Sequence, residues 1–213
     1  GGSGMIGGLV LASALADSAV EEVVCLVRRP LEWTHAKLSQ VVVKDFLNLA
    51  AYEELNAPFD MIFHCQGVYT GAVDAATFEA VTVDYAVAIA ERILPTSKEG
   101  CFCLFSAMGA DRSGTAKAVF ARTKGLAETK LAIMGFARLH CFRPAYIYPV
   151  TPRKEPNLMY QISRFLYPAI RLLGSKYTIR SDQLASAMYN VGRHGGKREI
   201  YENEQIRVRG QSI

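Results

Sequence analysis

Gly1, Gly4 and Gly7, within GGSGMIGG, have the spacing of a turn that cradles phosphate. Lacking side chains, they let backbone amides approach a pyrophosphate, and the positive end of a following helix favours its charge. Gly1, Ser3, Gly4, Met5, Ile6 and Gly7 are the residues that this chemistry selects. No Gly-Lys-Ser/Thr closes the motif, which sets aside a kinase-type phosphate loop. Arg28 and Arg29 end the buried run EEVVCLVRR. An NAD enzyme or a methyltransferase wants a carboxylate there to hold ribose hydroxyls. Two guanidiniums suit a 2′-phosphate instead, so NADP(H) is preferred over NAD(H). Asp45 and Phe46 follow a second buried run, where a carboxylate or an adjacent amide can meet an adenine edge; an ordinary strand-end Asp is the alternative. Gln66 and Gly67 close a third run, FDMIFHCQG, and Gly67 permits close passage of a ribose. His64, inside that run, reads as a packed histidine rather than a catalyst.

These residues need elements to position them. Ile6, Leu9, Val10 and Ala14 recur at helical spacing, with Leu11 and Leu15 widening the apolar face, so the glycine turn leads into a helix over Met5 to Asp17. Strands are predicted in EEVVCLVRR, QVVVKDF, FDMIFHCQG, GCFCLFSA and ARLHCFRPAYIYP, with a last short one in REIYEN. Between them, DAATFEAVTVDYAVAIAERIL and the stretch from Thr115 to Gly135 read as helices. PNLMYQISRFLYPAIRLLG reads as an amphipathic helix that kinks or ends at Pro168, and Ser181 as a cap for DQLASAMYNVG. Short apolar runs alternating with helices predict an α/β fold: a doubly wound parallel sheet covered on both faces. In such a sheet, ligands sit beyond the carboxyl ends of the strands, where the glycine turn, Arg28, Asp45, Gln66, Ser106 and Pro144 all fall.

Half of the 213 residues are apolar, enough for one sizeable core, so residues 1–213 are read as one domain in which 150–213 contribute a substrate-side cover. No apolar run reaches the length of a bilayer span and no leader precedes the first turn, which predicts a cytoplasmic protein without a transmembrane segment. Cys25, Cys65, Cys101, Cys103 and Cys141 are odd in number and embedded in apolar runs, which suits reduced core thiols; no metal site is expected. From Arg153 onward 11 Lys/Arg face 5 Asp/Glu, so of the net +4 the C-terminal third carries +6 and the rest −2. That basicity fits an anionic partner or simply a solvated face. No aromatic and basic interleaving accompanies it, so nucleic-acid binding is not expected.

The stretch SAMGADRSGTAKAVFARTKGLAETK, taken with GGSGMIGG, LVRR, the Asp-Phe at Asp45 and RPAYIYP, resembles the atypical short-chain dehydrogenase/reductase family, and within it the Tat-interacting-protein-like oxidoreductases. The resemblance spans nearly the whole chain. It implies a Rossmann-like NAD(P)-binding domain whose first strand lies immediately before the glycines, so this sequence is expected to start one strand late. It also implies a Ser that positions the substrate carbonyl, a Tyr that donates a proton, and a Lys four residues later that binds the ribose and lowers the Tyr pKa. Ser106 and Lys124 match these positions; Phe120 stands at the Tyr position. Residues four apart share a helix face, so Phe120 and Lys124 are expected side by side. Phenylalanine has no hydroxyl to donate.

Three readings follow. One is an NADP(H)-dependent oxidoreductase acting on a small molecule, with Ser106 and Lys124 in catalytic positions and a nearby tyrosine (Tyr69, Tyr146 or Tyr148) or water in place of the lost acid. Another is a non-catalytic NADP(H) sensor that reports to a regulatory protein partner. The third is a glycine turn that binds no nucleotide. The segment from Tyr160 to Leu173 is read as the cover over the cleft, with a homodimer contact or a membrane surface as the alternatives for its apolar side.

Overall fold

The computed structural model describes residues 1–69, 71–151 and 175–210. Helix α1 (Met5–Ala16) buries Ile6, Val10, Leu11, Ala14 and Leu15, the stripe that the spacing predicts. Strands β1 (Val23–Val27) and β2 (Leu38–Val42) pair in parallel, while β3 (Met61–His64), β4 (Cys101–Phe105), β5 (Arg138–Arg143) and β8 (Ile200–Glu202) form a second parallel sheet in that order. Between them, β6 (Tyr146–Tyr148) pairs with β7 (Thr178–Arg180). On the helical side, α2 (Ala75–Glu79) runs through a π-helical turn over Ala80–Asp84 into α3 (Tyr85–Ser97), so the long apolar stretch is one continuous helical rod. Helices α4 (Val119–Ala132), α5 (Ser181–His194) and α6 (Asn203–Gly210) complete the described elements.

Strand β4 shows why the fold is double-layered. Successive side chains of a strand point to opposite faces. Phe102 and Leu104 accordingly join Ile89 and Ile93 of α3 and Leu131 of α4 in one core, whereas Cys101 and Cys103 join Val10 of α1 and Leu184, Met188 and Val191 of α5 in the other. A strand buried on both faces has no polar positions, hence the uninterrupted CFCLF. All five cysteines are free thiols.

The two sheets do not join. Among the described residues no strand pairs with the second edge of β1 or of β3, and a cavity of about 190 Å³ lies between them, lined by Val23 to Leu26 of one and Met61 to His64 of the other.

Several boundaries depart from the sequence reading. The predicted fifth strand splits at Pro144, which has no amide hydrogen for the ladder, so β5 stays with β4 and β8 while β6 turns to β7. Helix α4 begins at Val119, four residues later than expected, because Asp111 folds the preceding loop on itself by accepting from the Ser113 and Ala116 amides. Ser181 is not a cap: it is the first helical residue of α5 and its Oγ accepts from the Val150 amide, 3.1 Å. The predicted helix with its kink at Pro168, and the cover from Tyr160 to Leu173, lie outside the described residues.

Candidate functional site

The glycine turn is clasped by its neighbours. A methyl group at Gly1 would sit 2.4 Å from the Cys65 carbonyl carbon, and one at Gly7 only 2.1 Å from the Gly1 carbonyl oxygen, so the turn packs between the end of β3 and the first turn of α1 only without side chains. Gly4 is the residue before the helix. No side chain caps it and no acidic residue occupies the first turn, so the amide hydrogens at Met5, Ile6 and Gly7 keep their positive end of the helix dipole uncompensated by protein.

Beyond this turn opens a cleft of about 470 Å³, within the usual range for small-molecule sites. Its walls come from four element ends: Gly4, Met5 and Ile6 of the turn and α1; Gln66, Gly67 and Tyr69 after β3; Phe105 and Ser106 at the end of β4; Phe120 and Lys124 on α4, with Pro144 and Tyr146 closing the side. The order β3-β4-β5 puts Ser106 in the middle of that rim. Phe120 and Lys124 line it together, as their spacing predicts. The Phe120 ring also packs on Phe78 of α2, with centroids 6.0 Å apart. Gln66 Oε1 is buried against the cleft with no hydrogen-bond partner.

Not every candidate faces the cleft. Arg28 and Arg29 are exposed immediately beyond β1, outside its walls. Asp45 is exposed as well and its Oδ1 accepts from the Leu47 amide, 2.9 Å. Phe46 is 2% exposed and stacks on Tyr85 in the core, 5.2 Å between centroids. Ser3 is exposed on the turn. His64 is buried with Nε2 unpartnered; burial pushes its pKa down to about 3, so it is a neutral packed ring.

Sequence reasoning missed the polar centre behind the cleft. Glu128, one turn beyond Lys124 on α4, is fully buried, and its two oxygens take four hydrogen bonds. Oε1 accepts from Ser106 Oγ (2.5 Å) and Arg143 Nε (2.9 Å); Oε2 accepts from a terminal Arg143 nitrogen (2.6 Å) and Arg112 Nε (2.8 Å). Burial alone would raise the Glu128 pKa, but the bonds from Arg143, Ser106 and Arg112 outweigh it and hold the carboxyl below its ordinary range. An ionised carboxylate only accepts, so the Ser106 hydroxyl must give it its single proton. In the sequence Glu128 only follows Lys124 by four within KGLAE, which does not by itself distinguish a buried carboxylate from a solvated one. Gly125 belongs to the same packing: a methyl group there would meet the Asp111 carbonyl oxygen.

Lys124 is partly buried, with its Nζ 5.9 Å from the Phe105 ring centroid. Burial pushes its pKa from 10.5 down to about 8, against a smaller upward pull from Glu128. The cleft thus joins an uncapped helix N-terminus, a buried unpartnered acceptor and a half-buried lysine whose pKa burial lowers.

No family model matches the sequence. The chain is 29% identical to Protein HTATIP2 of Rattus norvegicus over 97% of its own length and 85% of that protein's. Its fold is shared with the enzyme WbmF of Bordetella bronchiseptica in complex with NAD+ (TM-score 0.67, 12% identity, 97% of this chain and 74% of that one). It is also shared with RMD of Pseudomonas aeruginosa complexed with NADPH (TM-score 0.59, 15% identity, 93% and 73%).

Proposed function

We propose that this homologue of HTATIP2, which has the Rossmann fold of the short-chain dehydrogenase class, binds NADP(H) and works as an oxidoreductase whose usual catalytic tyrosine is replaced by Phe120. The observation that carries this reading is the convergence of the uncapped α1 N-terminus, the unpartnered Gln66 Oε1 and Lys124 on one cleft. A nicotinamide dinucleotide fits those groups. The amides of Met5, Ile6 and Gly7 would hold the pyrophosphate, with Gly4 leaving room beside them, Gln66 and Gly67 would hold the ribose side, and Lys124 the nicotinamide end beside Ser106 and Pro144. Arg28 and Arg29, exposed at the carboxyl end of β1 and in no described ion pair, would take a 2′-phosphate. Asp45 is the candidate for the adenine edge. Such a coenzyme supplies the hydride that the protein cannot.

In this reading residues 1–213 are one nucleotide-binding unit in which 150–213 supply the substrate side. Among the described residues no helix is long and apolar enough to cross a membrane; reduced thiols suit the cytoplasm. A second reading, an NADP(H) sensor without turnover that reports to a protein partner, is favoured by one observation. Ser106 spends its proton on Glu128, leaving neither it nor Phe120 as a donor to a carbonyl.

Calorimetric titration with NADPH and NADH tests the reading. NADPH is expected to bind at least tenfold more tightly, and Arg28→Ala with Arg29→Ala to abolish that difference. Equal affinities in the parent protein would remove the role given to the two arginines, and no binding of either would remove the proposed function. Phe120→Tyr is expected to raise carbonyl reduction 10²-fold or more; no gain across a carbonyl panel would favour the sensor.

A further inference from the structure

We infer that Lys124 itself donates the proton to the reduced substrate oxygen, in the place left by the missing phenol; the inference rests on the oxidoreductase reading above. Three observations on one helix and one strand end lead to it.

The first is what stands four residues before Lys124. Phe120 fills the position with a ring that packs on Phe78 and carries no exchangeable proton. The second is Ser106, whose proton is held by Glu128 at 2.5 Å, so its oxygen can only accept from the cleft side. The third is Glu128. Its four acceptor sites are matched by four donors from Ser106, Arg112 and Arg143, and none of those bonds goes to Lys124. An ammonium desolvated in a partly apolar cleft holds its proton loosely, because burial outweighs the smaller opposing pulls of the Phe105 ring and of Glu128, whose oxygens are bonded elsewhere. The charged and titratable groups around it are Glu128 on its own helix, His64 and Cys65 from the end of β3, and Tyr69 and Tyr146 across the cleft. His64 is neutral, and the two tyrosines each already have a partner.

The step balances simply. The carbonyl carbon receives a hydride from the reduced nicotinamide, and the oxygen that gains negative charge takes a proton from Lys124. The Nζ–H bond breaks, an O–H bond forms, and water reprotonates the neutral amine. A pKa near neutrality is what such a donor needs, since the same group must be protonated before the step and able to give the proton up during it.

The test has a readout apart from turnover. Trinitrobenzenesulfonate, which reacts with neutral amines, is applied to the full chain between pH 6 and 11, and modification is mapped by peptide mass spectrometry. Lys124 is expected to react with a midpoint near pH 8. Reduction of 4-nitrobenzaldehyde by NADPH is then followed against pH in the parent, in Lys124→Arg, and in the Tyr69→Phe and Tyr146→Phe double variant. The parent rate is expected to fall above pH 8. Lys124→Arg, which keeps the charge but does not give up its proton, is expected to bind NADPH within about threefold of the parent yet lose 10²-fold or more in rate. The tyrosine variant is expected to lose less than tenfold and to keep the fall above pH 8.

A Lys124 midpoint near 10, an undiminished Lys124→Arg, or a tyrosine variant that falls as far would each overturn the inference. If NADPH binds the parent but no aldehyde is reduced, the proton-transfer inference is overturned while nucleotide binding stands. If NADPH does not bind, the proposed function fails, and the inference with it. A midpoint near pH 8 then records the amine's environment alone.

Discussion

A methyl group at Gly7 would approach the Gly1 carbonyl oxygen to 2.1 Å, far inside van der Waals contact, and the atom in its way is backbone. Gly7→Ala is therefore expected to push the turn off the end of β3 and weaken NADPH binding by 10-fold or more, measured by calorimetry. Unchanged affinity would mean that the turn does not touch the nucleotide. Lys124 gives a less intuitive outcome. Its amine loses its proton near pH 8 in the folded chain and near 10.5 when unfolded, so between those values the unfolded chain binds more protons and stability rises with pH. The destabilisation is complete below pH 8 and gone above 10.5. Lys124→Met is accordingly expected to stabilise the protein at pH 7 by about 1–3 kcal/mol, a gain that vanishes by pH 10.5 in urea titrations. At this scale the sequence was legible where chemistry is carried by residue type and spacing, as for the glycines, Phe120 and Lys124. It was not legible for Glu128: a Glu on a helix is ordinarily solvated, and only the fold brings Arg112 and Arg143 around it.

At the scale of elements, Glu128 joins four pieces of chain: α4, the end of β4 through Ser106, the loop before α4 through Arg112, and the end of β5 through Arg143. Arg112 extends the network to Glu199 (2.6 Å) and Arg143 to Glu202 (3.1 Å), tying in the residues at and before β8. Removing one partner of a buried ion pair leaves the others uncompensated, which typically costs about 3–5 kcal/mol. Glu128→Gln is expected to lose about that much in urea titrations; a loss below about 1 kcal/mol would show that the network is solvated. Since the folded carboxyl sits below its unfolded pKa, its contribution is present above about pH 4.5 and lost as pH falls through the lower folded value. Among the described residues the predicted elements have the predicted types, because strands buried on both faces and a continuous helical stripe leave distinct patterns; β7 and α6, both short, were not predicted. Boundaries were not. Pro144 splits one apolar run into two strands of different sheets, and Ser181 serves Val150 instead of its own helix, both decided by tertiary pairing that no local window contains.

For the whole molecule, the main feature is the gap between β1 and β3, where two strand edges face an apolar cavity of about 190 Å³. Gly1 lies against Cys65, at the carboxyl end of β3, so a strand leading into Gly1 from that gap would run parallel to both neighbours. The parallel, double-layered architecture was legible in the alternation of strands and helices; the width of the gap required the fold. The most direct measurement of the central claim is a crystal structure of the protein grown with NADPH. The account predicts the pyrophosphate on the Met5 to Gly7 amides, the 2′-phosphate between Arg28 and Arg29, and the nicotinamide beside Lys124. A cleft closed by protein atoms, or a nucleotide bound elsewhere, would contradict it.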